Sequence, residues 1–140
     1  MITNALGRGS REVLGRSFKG FSKPLAPGHW ANHPAEWPVT SLTLGAQNYQ
    51  RDELLALLRA KVAGDPSLVL AQELIATLLN LAAGADPVSI LAIVGDAQAV
   101  LSPFNGKLPY AVRASSPSGR RLMGDGQLLK AYNAGTQGRS

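Results

Sequence analysis

Cysteine is missing altogether from the 140 residues, which excludes a disulfide framework, thiolate metal sites and cysteine nucleophiles. Histidine occurs only twice, and aromatic residues make up 6% of the chain. Charged residues, at 16%, fall well short of the average share of about 25%. The longest apolar stretch, 68–83, is broken by Gln72, Glu73 and Asn80 and is shorter than the ~20 apolar residues of a membrane span. It is therefore expected to be a central core helix. The first 27 residues hold no apolar run of about 7–15 residues, so an ordinary secretory signal is not among them. Nothing reads G-x-S-x-G, and no glycine-rich phosphate loop follows a strand. Neither nucleophilic nor nucleotide chemistry is supported. No enzyme activity and no cofactor is expected.

What the chain does have is 45% apolar residues, enough to bury a core, in a length that suits one domain. Fifteen Gly and nine Pro predict substantial loop. The net charge of +5 is unevenly spread: +4 over residues 1–23, −4 over 24–106 and +5 over 107–140. Residues 1–27 are basic and glycine-interrupted, and they read as a flexible leader preceding a single helical module over 28–138. Basic ends around an acidic middle do not suit a domain that wraps nucleic acid, despite a pI near 10.

The punctuation predicts a mainly α fold: a small four-helix bundle with a Trp/Pro-rich N-terminal loop and a short β-hairpin. The hairpin is Leu42-Thr43-Leu44, a Gly45-Ala46 turn and Gln47-Asn48-Tyr49. Residues 51–62 have the apolar spacing of an amphipathic helix. Asp65-Pro66 and Asp86-Pro87 each supply an N-cap followed by proline at the first helical position. They open helices over 66–83 and from Pro87 to about Leu101, with Asp65 and Asp86 as caps. A last helix is expected over about 119–134, weakened by Gly124 and Gly126. Glu73 is expected on the thin polar face of the second of these helices, with Gln72 and Asn80.

The densest cluster of functional side chains is His29, Trp30, Asn32, His33, Pro34, Glu36, Trp37 and Pro38. Four residues separate His29 from His33, the spacing that places two imidazoles on one helix face as zinc requires. A zincin motif would carry Glu directly after the first His, where Trp30 stands, and Pro34 interrupts the helix. Glu36 is the nearest acid, and no third ligand follows at a recognisable spacing. No metal site is expected, with His29 and His33 the weak candidates. The preferred reading is structural: two indoles that each bury on the order of 200 Å², polar side chains that bond an irregular backbone, and prolines that stiffen it. Lys107, Arg113, Arg120, Arg121 and Lys130 are the candidates for a basic face, read as solvated surface. A basic accessory domain that binds nucleic acid or an anionic surface is the alternative they would serve.

Residues 28–85 resemble a recurring module of bacterial secreted and cell-surface proteins. Its pattern runs G-[aromatic]-W-x-N-H-P-x-x-W-P-V, then S-L-T-L-G, then Y-x-x-x-x-L-L, then G-D-x-x-x-x-L-A-x-x-L-I-A-x-x-L-N. Gly28, Trp30, Asn32, His33, Pro34, Trp37, Pro38 and Val39 match its first part; Tyr49, Leu54, Leu55, Gly64, Asp65, Leu70, Leu74 and Asn80 are among the later matches. Tyr132-Asn133-Ala134-Gly135 resembles its closing segment, so the likeness extends over about residues 25–138. The resemblance implies an extracellular or cell-surface, non-enzymatic module used for structure or for contact with protein or glycan. It also implies that residues 1–27 stand in for a longer upstream chain; without a signal, a cytoplasmic location is the alternative. Relatives in that family commonly carry one cysteine shortly before the G-x-W and another near the C-terminus, implying a disulfide that ties the ends. Leu25 stands near the first place, and neither cysteine is present here. His29 takes the place of the aromatic residue before Trp30.

Overall fold

The computed structural model describes residues 20–135; residues 1–19 of the expected leader and the last five residues lie outside the described residues. The elements are α1 (Pro27–Asn32), a 3-10 turn (Pro34–Glu36), β1 (Ser41–Leu44), β2 (Gln47–Gln50), α2 (Arg51–Arg59), α3 (Pro66–Ala82), α4 (Leu91–Leu101) and α5 (Pro117–Asn133). Four helices longer than two turns and one antiparallel hairpin make the fold mainly α, as expected. No helix among the described residues is long and apolar enough to cross a membrane.

α3 is the axle. It packs against α1, α2, α4, α5 and β1, most extensively against α5. Leu70, Ala71, Leu74, Ile75, Ala76 and Leu79 have no exposure, and each fully buried Leu or Ile contributes roughly 1.5–3 kcal/mol. Asp65 caps the helix, its Oδ1 accepting from Ser67 N at 2.9 Å, and Pro66 occupies the first turn. At the far crossing α5 comes close because Gly126 has no Cβ: one placed there would lie 3.2 Å from Val69 Cγ1. The glycine that weakens α5 as a helix thus admits α3 to its surface. Gly124, by contrast, faces open space.

The hairpin pairs Leu42 with Tyr49 and Thr43 with Asn48. Gly45 turns it with φ +63°, the left-handed value that suits glycine at the first position of a two-residue turn. A two-stranded hairpin is marginal alone, and α4 clamps this one. Gln98 accepts from Gly45 N through Oε1 and donates from Nε2 to Thr43 O at 2.8 Å. Leu44 and Tyr49 are buried beneath.

Three boundaries differ from the sequence reading, two of them because a distant residue intervenes. α2 stops at Arg59 rather than residue 62: Gln72 of α3 donates to both Leu57 O and Ala60 O at 3.0 Å, and Ala60 is already extended. α4 starts at Leu91 rather than Pro87. Asp86 Oδ1 accepts from Val88 N at 3.0 Å, so Asp86 caps a turn; Ile90, buried and with φ −122°, separates that turn from the helix. Residues 20–27, assigned to the leader by composition, are tied down at two points: Ser22 N donates to Gly84 O at 3.0 Å, and Leu25 is bonded to Asn80.

Candidate functional site

The Trp/Pro-rich segment folds as a plug on the side of α3. Proline starts α1 and the 3-10 turn alike, and each element is too short to hold itself. Side chains hold them. Trp37 Nε1 donates to Trp30 O at 2.8 Å, Trp30 Nε1 donates to Asn80 Oδ1 at 3.0 Å, and Arg59 donates to Ala31 O at 2.8 Å. Both indoles are buried, while Asn32 and Pro38 are exposed.

Beneath the plug runs a buried polar ladder that sequence reasoning missed. Asn80 was expected on a polar face, yet it is 1% exposed, surrounded by core, with all four hydrogen-bonding positions of its amide filled. Its Oδ1 accepts from Leu25 N at 2.9 Å and from Trp30 Nε1. Its Nδ2 donates to Leu25 O at 2.8 Å and to Asn133 Oδ1 at 2.9 Å. Asn133, also buried, donates in turn to Glu73 O and Oε1 at 3.0 and 2.9 Å. Thr77 Oγ1 lies 3.1 Å from Asn133 Oδ1 and 2.9 Å from Glu73 O. Burial pushes the Glu73 carboxyl above its ordinary range, against the opposing pull of the Asn133 amide and the Lys130 charge. The signal for Asn80 was present: an asparagine between two leucines in the most apolar helix is out of place unless it has a partner.

On the plug's outer face the structure brings His29, His33 and Glu36 together, with ligand atoms all within 4.8 Å of one another. The imidazoles stack with centroids 4.2 Å apart. His29 Nε2 lies 3.3 Å from Glu36 Oε1, and His33 Nδ1 lies 2.8 Å from His29 O. The sequence hid this third group because a 3-10 turn, not a continued helix, carries Glu36 back over the histidines.

Asp65 does more than cap. Its Oδ1 also accepts from Ser67 Oγ and Val112 N, and its Oδ2 from Ala111 N at 3.0 Å. It thereby pins the loop before α5 onto the start of α3. Three of the five candidate basic residues are held by local partners. Lys107 is held at 2.8 Å by Glu53 and by Asn48 O, over the Tyr49 ring. Arg121 pairs with Asp96 of α4 at 2.7 Å, Arg120 bonds Ser115 O, and Arg113 precedes α5. Lys130, nine residues beyond Arg121, lies half a turn round the helix from it.

A second feature not foreseen is the carboxylate pair at the α4–α5 contact. Asp125 is 7% exposed, and its Oδ2 is buried with no donor in reach among the described residues. Burial pushes its carboxyl up to about 7, reinforced by Asp96 beside it. The Asp96 carboxyl moves down, favoured by the hydrogen bond from Asp125 and by Arg121. Burial and the neighbouring Asp96 thus favour the protonated form at Asp125, and Arg121 favours the ionised form at Asp96. Set against family models, curated proteins and solved structures, the chain matches none of them.

Proposed function

We propose that the chain is a non-enzymatic module of a bacterial secreted or cell-surface protein, built to dock a partner protein. The setting rests on the resemblance of residues 28–85. The docking role rests on one observation: large apolar side chains stand in solvent around the corner between α3 and α4. Phe21, Val88 and Leu91 are 53%, 82% and 56% exposed. They share a neighbourhood, because Ser22 beside Phe21 bonds Ala83 O and Gly84 O, and Val88 follows three residues after Ala85. Val88 lies in the turn that Asp86 caps, and Leu91 opens α4 three residues later. Single exposed apolar residues are ordinary, but several at one corner mark an interaction surface. The plug favours a non-catalytic reading as well: its indole N–H groups and the asparagine amide below are consumed by internal bonds, which stiffen a scaffold.

The test replaces Val88 with a photo-crosslinking amino acid in the protein expressed in its native cells, with exposed Asp52 of α2 as the control position. A discrete adduct from Val88, absent from Asp52 and lost on adding Leu91→Asp, is expected. Leu91→Asp should itself shift stability by only about 0.5 kcal/mol, as is usual for a surface position. Equal labelling from both positions, or no adduct from Val88, removes the docking role.

A further inference from the structure

We propose that His29, His33 and Glu36 form a binding site for one divalent transition-metal ion of the zinc type, with a fourth coordination position open to solvent. The donor set is the first argument. Two imidazoles and one carboxylate suit Zn²⁺ and its first-row neighbours, whereas Ca²⁺ and Mg²⁺ take oxygen ligands.

Geometry is the second. In a tetrahedral site with bonds of 2.0–2.1 Å, neighbouring ligand atoms are about 3.3 Å apart. His29 Nε2 and Glu36 Oε1 already stand at 3.3 Å, so one edge of the tetrahedron is in place. The three ligand atoms span no more than 4.8 Å. Closing the other edges takes a shift of roughly 1.5 Å at most, by side chains that are partly or largely exposed: His29 at 32% and Glu36 at 58%.

The third argument is the support behind the ligands. Metal-binding histidines ordinarily donate their second ring N–H to a carbonyl or carboxylate, which fixes the tautomer and aims the other nitrogen. His33 Nδ1 is placed to donate to His29 O at 2.8 Å, leaving its Nε2 as the ligand atom. The backbone carrying all three residues is fastened from below by Trp37 Nε1 to Trp30 O, by Trp30 Nε1 to Asn80, by Arg59 to Ala31 O and by Arg51 to Pro34 O. The ligands therefore sit on a fixed platform. Ordering a loop is not part of the binding cost.

The experiment uses the full chain without a histidine tag, titrated with Zn²⁺ alone by calorimetry and with Co²⁺ alone by visible absorption. One equivalent of Zn²⁺ is expected to bind, with a tetrahedral Co²⁺ spectrum displaced by Zn²⁺. His33→Gln and Glu36→Gln should each weaken binding at least tenfold, while thermal melts without metal stay unchanged because both side chains are on the surface. Zn²⁺ should raise the melting temperature of the parent chain and leave that of His33→Gln unmoved. Absence of one-to-one binding overturns the proposal. So does binding that survives both substitutions, which would place the ion elsewhere; an ion pair and a ring stack would then be all this cluster is.

Discussion

Asn80 makes four hydrogen bonds through one amide, and no smaller or apolar side chain replaces them. Its removal strands Trp30 Nε1, the backbone of Leu25 and one partner of Asn133 in a region closed to water. A buried group left without a partner costs about 1–3 kcal/mol. Asn80→Leu is therefore expected to destabilise the chain by roughly 3 kcal/mol or more, read as the change in urea midpoint at constant slope. Asn133→Ala should be costly too, and the double variant should lose clearly less than the sum of the two, because the residues share a network. Strict additivity would show that the ladder is not a unit. The sequence alone carried half of this. It placed Asn80 inside the central helix, but the partners lie 53 and 55 residues away, beyond anything periodicity reports. The same holds for Glu36: its type was visible beside the histidines, and only the turn that Pro34 begins shows that it reaches them.

Among the elements, α5 separates three glycines by what each one meets. At Gly124 an added Cβ enters open space, so Gly124→Ala should stabilise by about 0.5–1 kcal/mol through lower backbone entropy in the unfolded chain. At Gly126 the same gain is opposed by a push on Val69 Cγ1 at 3.2 Å, and the net change should stay within about 0.5 kcal/mol. At Gly119 the methyl would sit 1.9 Å from Arg113 O, a backbone atom held by Ser116. Gly119→Ala should cost about 2 kcal/mol or more. Thermal melts of the three variants check the order, and a Gly119→Ala protein as stable as its parent would refute the close approach. Helix existence and hairpin register were legible because α3, α5 and the Gly45 turn carry their own periodicity, caps and turn residue. Helix ends were less so. Gln72 ends α2 from another helix, whereas Asp86 delays α4 by a local bond to Val88 N that caps a turn in place of a helix.

For the whole molecule, stability should run against the usual direction between acid and neutral pH. Asp125 is raised to about 7 and Glu73 is raised as well, both by burial. The folded chain therefore holds protons that the unfolded chain, with ordinary carboxyls near 4, has released. Stability then falls as pH rises through that window. Glu53, lowered by Lys107 and the Gln50 N–H, and Asp96, lowered by Asp125 and Arg121, act oppositely, losing their contribution as pH drops below about 4. The melting temperature should decline from pH 5 to pH 8. Asp125→Asn, which still donates toward Asp96 without titrating, should flatten most of that decline. An unchanged decline in the variant would assign the effect to Glu73 instead. Composition announced none of this, since a lone Asp125 in a basic segment reads as surface until α4 lies against it.

The Asn80 amide has a mechanical consequence. Leu25, near one end of the described chain, and Asn133, near the other, both fasten to this one mid-chain side chain. The two segments are therefore joined through it. A pull applied between the ends of the described chain meets the Ser22 bonds to Ala83 O and Gly84 O first and those at Asn80 next. Set in line within a longer polypeptide under tension, the module would act as a clasp: it opens at Asn80 with its core still packed, or holds until that amide lets go.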